Sequence, residues 1–172
     1  MKITLLGIDI SKNVFQLHGT DKQGKTLLQK QLRRAELLAF IVNLPTCTIA
    51  MKAYATSNYW GRQFEKLGHT VKLISPQYVK PFTKGQKNDR NDAQAIAEAA
   101  SRPTMHFVAI KSVEQQDIQS IHRIRQRLVV QRTALCNQIR GLLAEYGVFI
   151  PQGISHIRSR LLMILDDTNN AH

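Results

Sequence analysis

From Ser112 to Tyr146 the sequence contains no proline, and its only glycine, Gly141, comes late. Ile121, Leu128, Leu135 and Leu142 recur at seven-residue intervals, flanked by Ile118, Ile124 and Ile139. The pattern predicts an unbroken helix of roughly 35 residues, about 50 Å long. Such a helix is too long for the flank of a small domain. A sustained seven-residue apolar repeat is the mark of a coiled coil or of paired helices. Ile121, Leu128, Leu135 and Leu142 are therefore expected to form an oligomerisation seam, giving a dimer or tetramer. Arg125, Gln131 and Arg132 make that seam imperfect, and the other reading is a helix lying back on its own domain. Beyond Gly147 and Pro151, Ile154–Leu165 reads as one more short helix. Composition changes at about Lys111, so two regions are expected, 1–110 and 111–172.

The first region has a different grammar. Lys2–Asp9 is an apolar run of strand length, Asn13–Gly19 alternates polar and apolar residues, and Lys25–Leu28 begins a return strand after the turn residues Asp21–Gly24. A helix around Arg34–Asn43, a strand at Cys47–Met51, a helix at Ser57–Leu67 and a strand at His69–Ile74 follow. Gly68 supplies the helix stop. Asp89–Ala100 reads as an Ala-rich helix, and Met105–Ile110 as a short extended segment. The order βββαβαβ predicts an α/β fold, a mixed sheet with helices packed on it.

Charge narrows the partner. With 24 Lys+Arg against 12 Asp+Glu the formal charge is +12, which points to a polyanion, with nucleic acid ahead of acidic lipid. No apolar run approaches the ~18 residues of a membrane span, and no secretory signal is apparent. Cys47 and Cys136 match no zinc spacing, as expected of a reduced, cytoplasmic chain.

Among the few acidic residues, Asp9 ends an apolar strand, and Asp89 and Asp92 stand three apart at a helix start. Singly they read as a bend residue, an N-cap and a first-turn acid. Together, in a basic chain, they suggest oxygen ligands for Mg²⁺ or Mn²⁺, ions that clamp the attacking and leaving oxygens of a phosphodiester. Lys80, Lys84, Lys87 and Arg90 lead into the aspartate pair, and Arg123, Arg125, Arg127 and Arg132 stud the long helix, followed by Arg140, Arg158 and Arg160. These are candidate phosphate contacts. Tyr78, Phe82 and Trp60 are candidates for base stacking, with Trp60 favoured as a core residue. His18, His69, His106, His122 and His156 show no ligand spacing.

Gly7-Ile8-Asp9-Ile10-Ser11-Lys12, Met51-Lys52-Ala53 with Tyr59-Trp60-Gly61, Pro76-Gln77-Tyr78-Val79-Lys80-Pro81 and above all Lys87-Asn88-Asp89-Arg90-Asn91-Asp92-Ala93 resemble the insertion-sequence-110 family of DEDD transposases. These are bridge-RNA-guided recombinases, and the chain looks most like their 1111-type branch. The resemblance is collinear over nearly the whole chain. It implies a ribonuclease-H-like (RuvC-like) domain, a long coiled-coil-like helix, and a separate C-terminal domain with a nucleophilic serine, which is expected to be absent here. The implied partners are DNA and a structured guide RNA, in a bacterial, nucleoid-associated protein. Lys12 joins the candidate nucleic-acid contacts as the end of the first motif.

The family's tetrad of Asp, Glu, Asp and Asp falls on Asp9, Lys52, Asp89 and Asp92, so the second member departs from the pattern. A lysine where the family has glutamate changes the local charge by two units. We expect Lys52 to pair with Asp9 or Asp92 and to impair or abolish divalent-metal chemistry, the alternative being that it swings to solvent and one ion still binds. The leading expectation is the N-terminal portion of a transposase that binds DNA and guide RNA but does not recombine DNA alone. A non-catalytic or dominant regulatory nucleic-acid-binding protein and a stand-alone Mg²⁺-dependent junction nuclease are the alternatives.

Overall fold

A computed structural model describes residues 2–83 and 89–166, with Asp89 and Arg90 described by backbone alone. Six strands form one mixed sheet: β1 (Leu5–Ile10), β2 (Val14–Thr20), β3 (Thr26–Arg33), β4 (Thr48–Lys52), β5 (Thr70–Ile74) and β6 (Phe107–Val108), in the order β3-β2-β1-β4-β5-β6. β1, β2 and β3 form the antiparallel meander, while β4 and β5 add in parallel and β6 closes the edge antiparallel. This is the mixed sheet with flanking helices that the sequence led us to expect.

The two faces of the sheet are built from different residue sizes. On one face, Leu6 and Ile8 of β1, Phe15 and Leu17 of β2 and Ile49 and Met51 of β4 meet helices α1 (Leu37–Val42) and α2 (Ser57–Lys66). α2 buries Ser57, Trp60, Gly61 and Phe64, the i, i+3, i+4, i+7 stripe of an amphipathic helix. Trp60 is 3% exposed and packs edge-on against Phe15 at 5.3 Å, so it is a core residue. α2 ends in a Schellman motif: Gly68 has φ 86°, its N–H donates to Glu65, and the His69 N–H donates to Phe64.

The other face is lined by small residues at its centre, with Ile74 and Ile96 beside them. Gly7 pairs with Ala50 across β1 and β4, and α4 (Asp89–Ala100) lays Ala93 and Ala97 over them. A Cβ on Gly7 would stand 2.4 Å from the Ala93 carbonyl oxygen and 2.9 Å from the Ala97 nitrogen. The absence of a side chain at Gly7 thus lets the helix backbone rest directly on the strand. α3 (Pro76–Val79) and a 3₁₀ turn at Lys80–Phe82 lead from β5 toward α4, a helical stretch beyond the helices predicted from the sequence. Pro76 at N1 explains it: a missing N–H is no loss in the first turn.

The described residues divide into two compact units between Ser112 and Val113. The second contains α5 (Val113–Glu145) and α6 (Ile154–Asp166), joined by a bend at Gly147 with φ 75°. Cys136, Ile150 and Ile157 form its small core. Arg140 donates to the Pro151 and Gly153 carbonyls and Arg160 to that of Phe149, so these two arginines hold their own loop together. Ile121, Leu128, Leu135 and Leu142 are all more than half exposed. No helix among the described residues is long and apolar enough to cross a membrane.

Candidate functional site

The contact at Gly7 determines what sits beside it. Two residues along β1, on the same face, comes Asp9. Asp92 precedes Ala93 in the opening turns of α4. Lys52 ends β4, one step beyond the Ile8–Met51 pair, on the face it shares with Ala50. The three side chains meet at the carboxyl end of two parallel strands, where open α/β sheets place their sites. Lys52 Nζ lies 3.1 Å from Asp9 Oδ1 and 3.2 Å from Asp92 Oδ2. Lys52 is 25% exposed, Asp9 17% and Asp92 23%. The ammonium therefore bridges two carboxylates, Asp9 and Asp92, that are 83 positions apart in the sequence.

Burial alone pulls the Lys52 ammonium toward a lower pKa. The charges of Asp9 and Asp92 and the hydrogen bonds to them outweigh it, leaving the group above the ordinary lysine value. Lys52 is accordingly a fixed cation throughout the neutral range.

Its position bears directly on whether a metal fits. Mg²⁺ requires oxygen ligands at about 2.0–2.1 Å in octahedral array. Lys52 occupies the point on which both carboxylates converge, and an ammonium offers three donors and no lone pair. A divalent ion brought to about 4 Å from it would meet a repulsion of about 8 kcal/mol at an effective dielectric of 20, twice the unit-charge value. Among the described residues no group of three His, Cys, Asp or Glu side chains could hold an ion. Among the described residues, the Lys52 ammonium seated between Asp9 and Asp92 does not fit a divalent metal there.

The remaining candidates are distributed as follows. Asp89 is the first residue of α4, and its side chain, like that of Arg90, lies outside the described residues, as do Lys84 and Lys87. Lys80 lines a cleft of about 450 Å³ together with Lys52, Asp92, Pro76, Val79 and Thr83. Lys12 lies in a different pocket, with Ile10, Ser11, Arg34, Tyr54, Ala55 and Thr56. Arg123, Arg125, Arg127 and Arg132 are exposed on α5, in the second unit. Tyr78 packs near His106, and Phe82 lies under the Arg102 guanidinium at 5.5 Å.

One feature of the site's surroundings escaped the sequence reading. After β4 the chain turns sharply: the Tyr54 N–H donates to Lys52 and the Ser57 N–H to Tyr54. Thr56 in that turn has φ 66° and ψ −7°, and among the described residues no other non-glycine has positive φ. A β-branched residue in the left-handed region is an outlier that the surrounding structure must hold. The turn leaves Tyr54 73% exposed. The sequence signal, a Tyr-Ala-Thr-Ser run between strand and helix, carries no hint of such a backbone.

Over residues 6–148 the sequence matches the IS110 DEDD transposase family. The chain belongs to that family. It is 52% identical over 148 residues to a probable family 20 transposase of Pseudomonas aeruginosa, covering 86% of this chain and 44% of the relative. It is 50% identical over 163 residues to the transposase for insertion sequence element IS1111A of Coxiella burnetii, covering 95% and 45% respectively. A third relative, the transposase for insertion sequence element IS1328 of Yersinia enterocolitica, is 46% identical over 156 residues, covering 91% of this chain and 47% of the relative. The chain thus spans less than half the length of these curated relatives. Among solved structures it is similar to Thermus thermophilus RuvC, with TM-score 0.47 and 15% identity over 60% of this chain and 99% of that one.

Proposed function

We propose that this chain is the nucleic-acid-binding N-terminal portion of a DNA transposase in which strand cleavage is disabled at the acidic site. The observation that carries the reading is the Lys52 ammonium between Asp9 and Asp92. In the family this site is expected to hold Mg²⁺ or Mn²⁺ for cleaving and exchanging DNA strands. Here Lys52 supplies a permanent positive charge in its place, which offsets one of the two aspartate charges without activating a nucleophile. The same geometry favours the non-catalytic, regulatory reading over a stand-alone junction nuclease. DNA and a structured guide RNA are the proposed partners, supported by the +12 charge and by the arginines exposed on α5.

Fluorescence anisotropy with branched and duplex DNA, with Mg²⁺ present, tests this reading. Binding should weaken steeply with salt, by about 10³-fold between roughly 50 and 200 mM if six phosphates are contacted. No cleavage should accompany it. Salt-independent binding, no binding, or Mg²⁺-dependent cutting would each refute the proposal.

The exposed ladder on α5 is proposed to join copies of this chain through Ile121, Leu128, Leu135 and Leu142. Sedimentation should find a dimer or larger species, and Ile121→Asp combined with Leu128→Asp should yield a monomer. A wild-type monomer would remove this part of the reading.

A further inference from the structure

We infer that the pocket beside Tyr54 is a subsite for an unpaired nucleotide, with the base stacked on Tyr54 and its phosphate met by Lys12 and Arg34. The inference rests on the nucleic-acid-binding reading and goes beyond it by naming where a single strand is held. The pocket measures about 310 Å³ and is lined by Ile10, Ser11, Lys12, Arg34, Tyr54, Ala55 and Thr56. Two of these residues are cationic and none is acidic, which suits a phosphodiester.

The construction of the pocket supports a binding role. Arg34 is exposed, and its guanidinium is held over the Trp60 ring at 5.3 Å and lies 6.0 Å from that of Phe15. A guanidinium so held loses little freedom on meeting a phosphate. Tyr54 is 73% exposed, with an aromatic face offered to solvent at the end of a turn whose backbone is held in the left-handed region at Thr56. Strain of this kind concentrates at functional positions. Every base has a π-face, so such a platform accepts single strands of any sequence.

Placement connects the pocket to the acidic site. Ile10 follows Asp9 and points to the opposite face of β1, and Tyr54 follows Lys52 by two residues with its N–H on the Lys52 carbonyl at 2.8 Å. A strand crossing the carboxyl edge of β1 and β4 would meet Lys52 on one side and Tyr54 on the other.

The probes are fluorescein-labelled oligothymidylate and oligouridylate of about 20 nucleotides and a duplex of the same length, titrated against the intact chain. Tyr54→Ala should weaken single-strand binding by about ten-fold, leave duplex binding within about two-fold, and leave the thermal transition in place. Tyr54→Phe should bind as the wild type does, because the ring rather than the hydroxyl acts. Lys12→Ala should lower the salt slope by about one phosphate. A loss on oligothymidylate assigns the site to DNA, and a loss on oligouridylate assigns it to RNA. Unchanged single-strand affinity in Tyr54→Ala, or equal losses on single strand and duplex, overturns the subsite while leaving the nucleic-acid-binding reading in place. A wild-type chain that binds none of the three probes overturns both.

Discussion

Lys52→Glu is expected to convert a site indifferent to Mn²⁺ into one that binds it. In the wild-type chain, calorimetric titration should produce no binding heat, because the ion would have to displace an ammonium already paired with Asp9 and Asp92. In the variant the cation becomes a carboxylate. Removing the lysine's repulsion of a divalent ion is alone worth about 8 kcal/mol at 4 Å and a dielectric of 20, and even half of that raises the affinity about a thousand-fold. The variant should show a second signature. Without metal, three carboxylates share a partly buried space, and the fold should lose about 2 kcal/mol. Mn²⁺ should restore that loss, since an ion that binds only the folded state stabilises it in proportion to its occupancy. The wild-type unfolding midpoint should not respond to Mn²⁺. Equal affinities, or equal responses of the two midpoints, would contradict the assignment of Lys52 as the resident cation.

Gly7→Ala should be the most damaging single-methyl change in the sheet. The added Cβ would meet the Ala93 carbonyl oxygen at 2.4 Å and the Ala97 nitrogen at 2.9 Å, both backbone atoms that no rotamer change can move aside. Either α4 lifts off β1 or β1 bends, and a loss of about 3 kcal/mol in urea unfolding follows. Because α4 carries Asp92, lifting it also separates that carboxylate from Lys52. The same substitution at Gly141 provides the control. There the new methyl meets nothing within 4 Å, and a helical glycine is replaced by alanine, so stability should rise by up to about 1 kcal/mol. A Gly7→Ala loss below about 1 kcal/mol would mean that the close approach of α4 to β1 is not what positions the site.

Asp9 was legible in the sequence because a charge at the end of an apolar strand is costly. Lys52 stood out only through the resemblance to a family that has glutamate there, and the fold brings both residues together with Asp92. β1 was readable as a strand from the apolar run Lys2–Asp9, while its alternation shows only in the fold, where Leu6 and Ile8 share a buried face. The long helix was readable for the opposite reason, the lack of any residue able to break it. What escaped notice depended on backbone geometry or on local hydrogen bonding. Thr56 in the left-handed region, and with it the exposure of Tyr54, follows from how β4 must turn into α2 and not from residue propensity. Arg140 and Arg160 read as free cations in a basic helical region, yet each is engaged by carbonyls of the α5–α6 loop. The third strand of the meander runs on past the Lys25–Leu28 start: β3 continues to Arg33 because its pairing with β2 carries it on.

A crystal of the wild-type chain grown with Mn²⁺ and measured for anomalous scattering would bear most directly on the central claim. No anomalous peak is expected between Asp9 and Asp92, with Lys52 Nζ within hydrogen-bonding distance of both carboxylates. A Mn²⁺ peak bridging those carboxylates, with the Lys52 side chain turned to solvent, would contradict it.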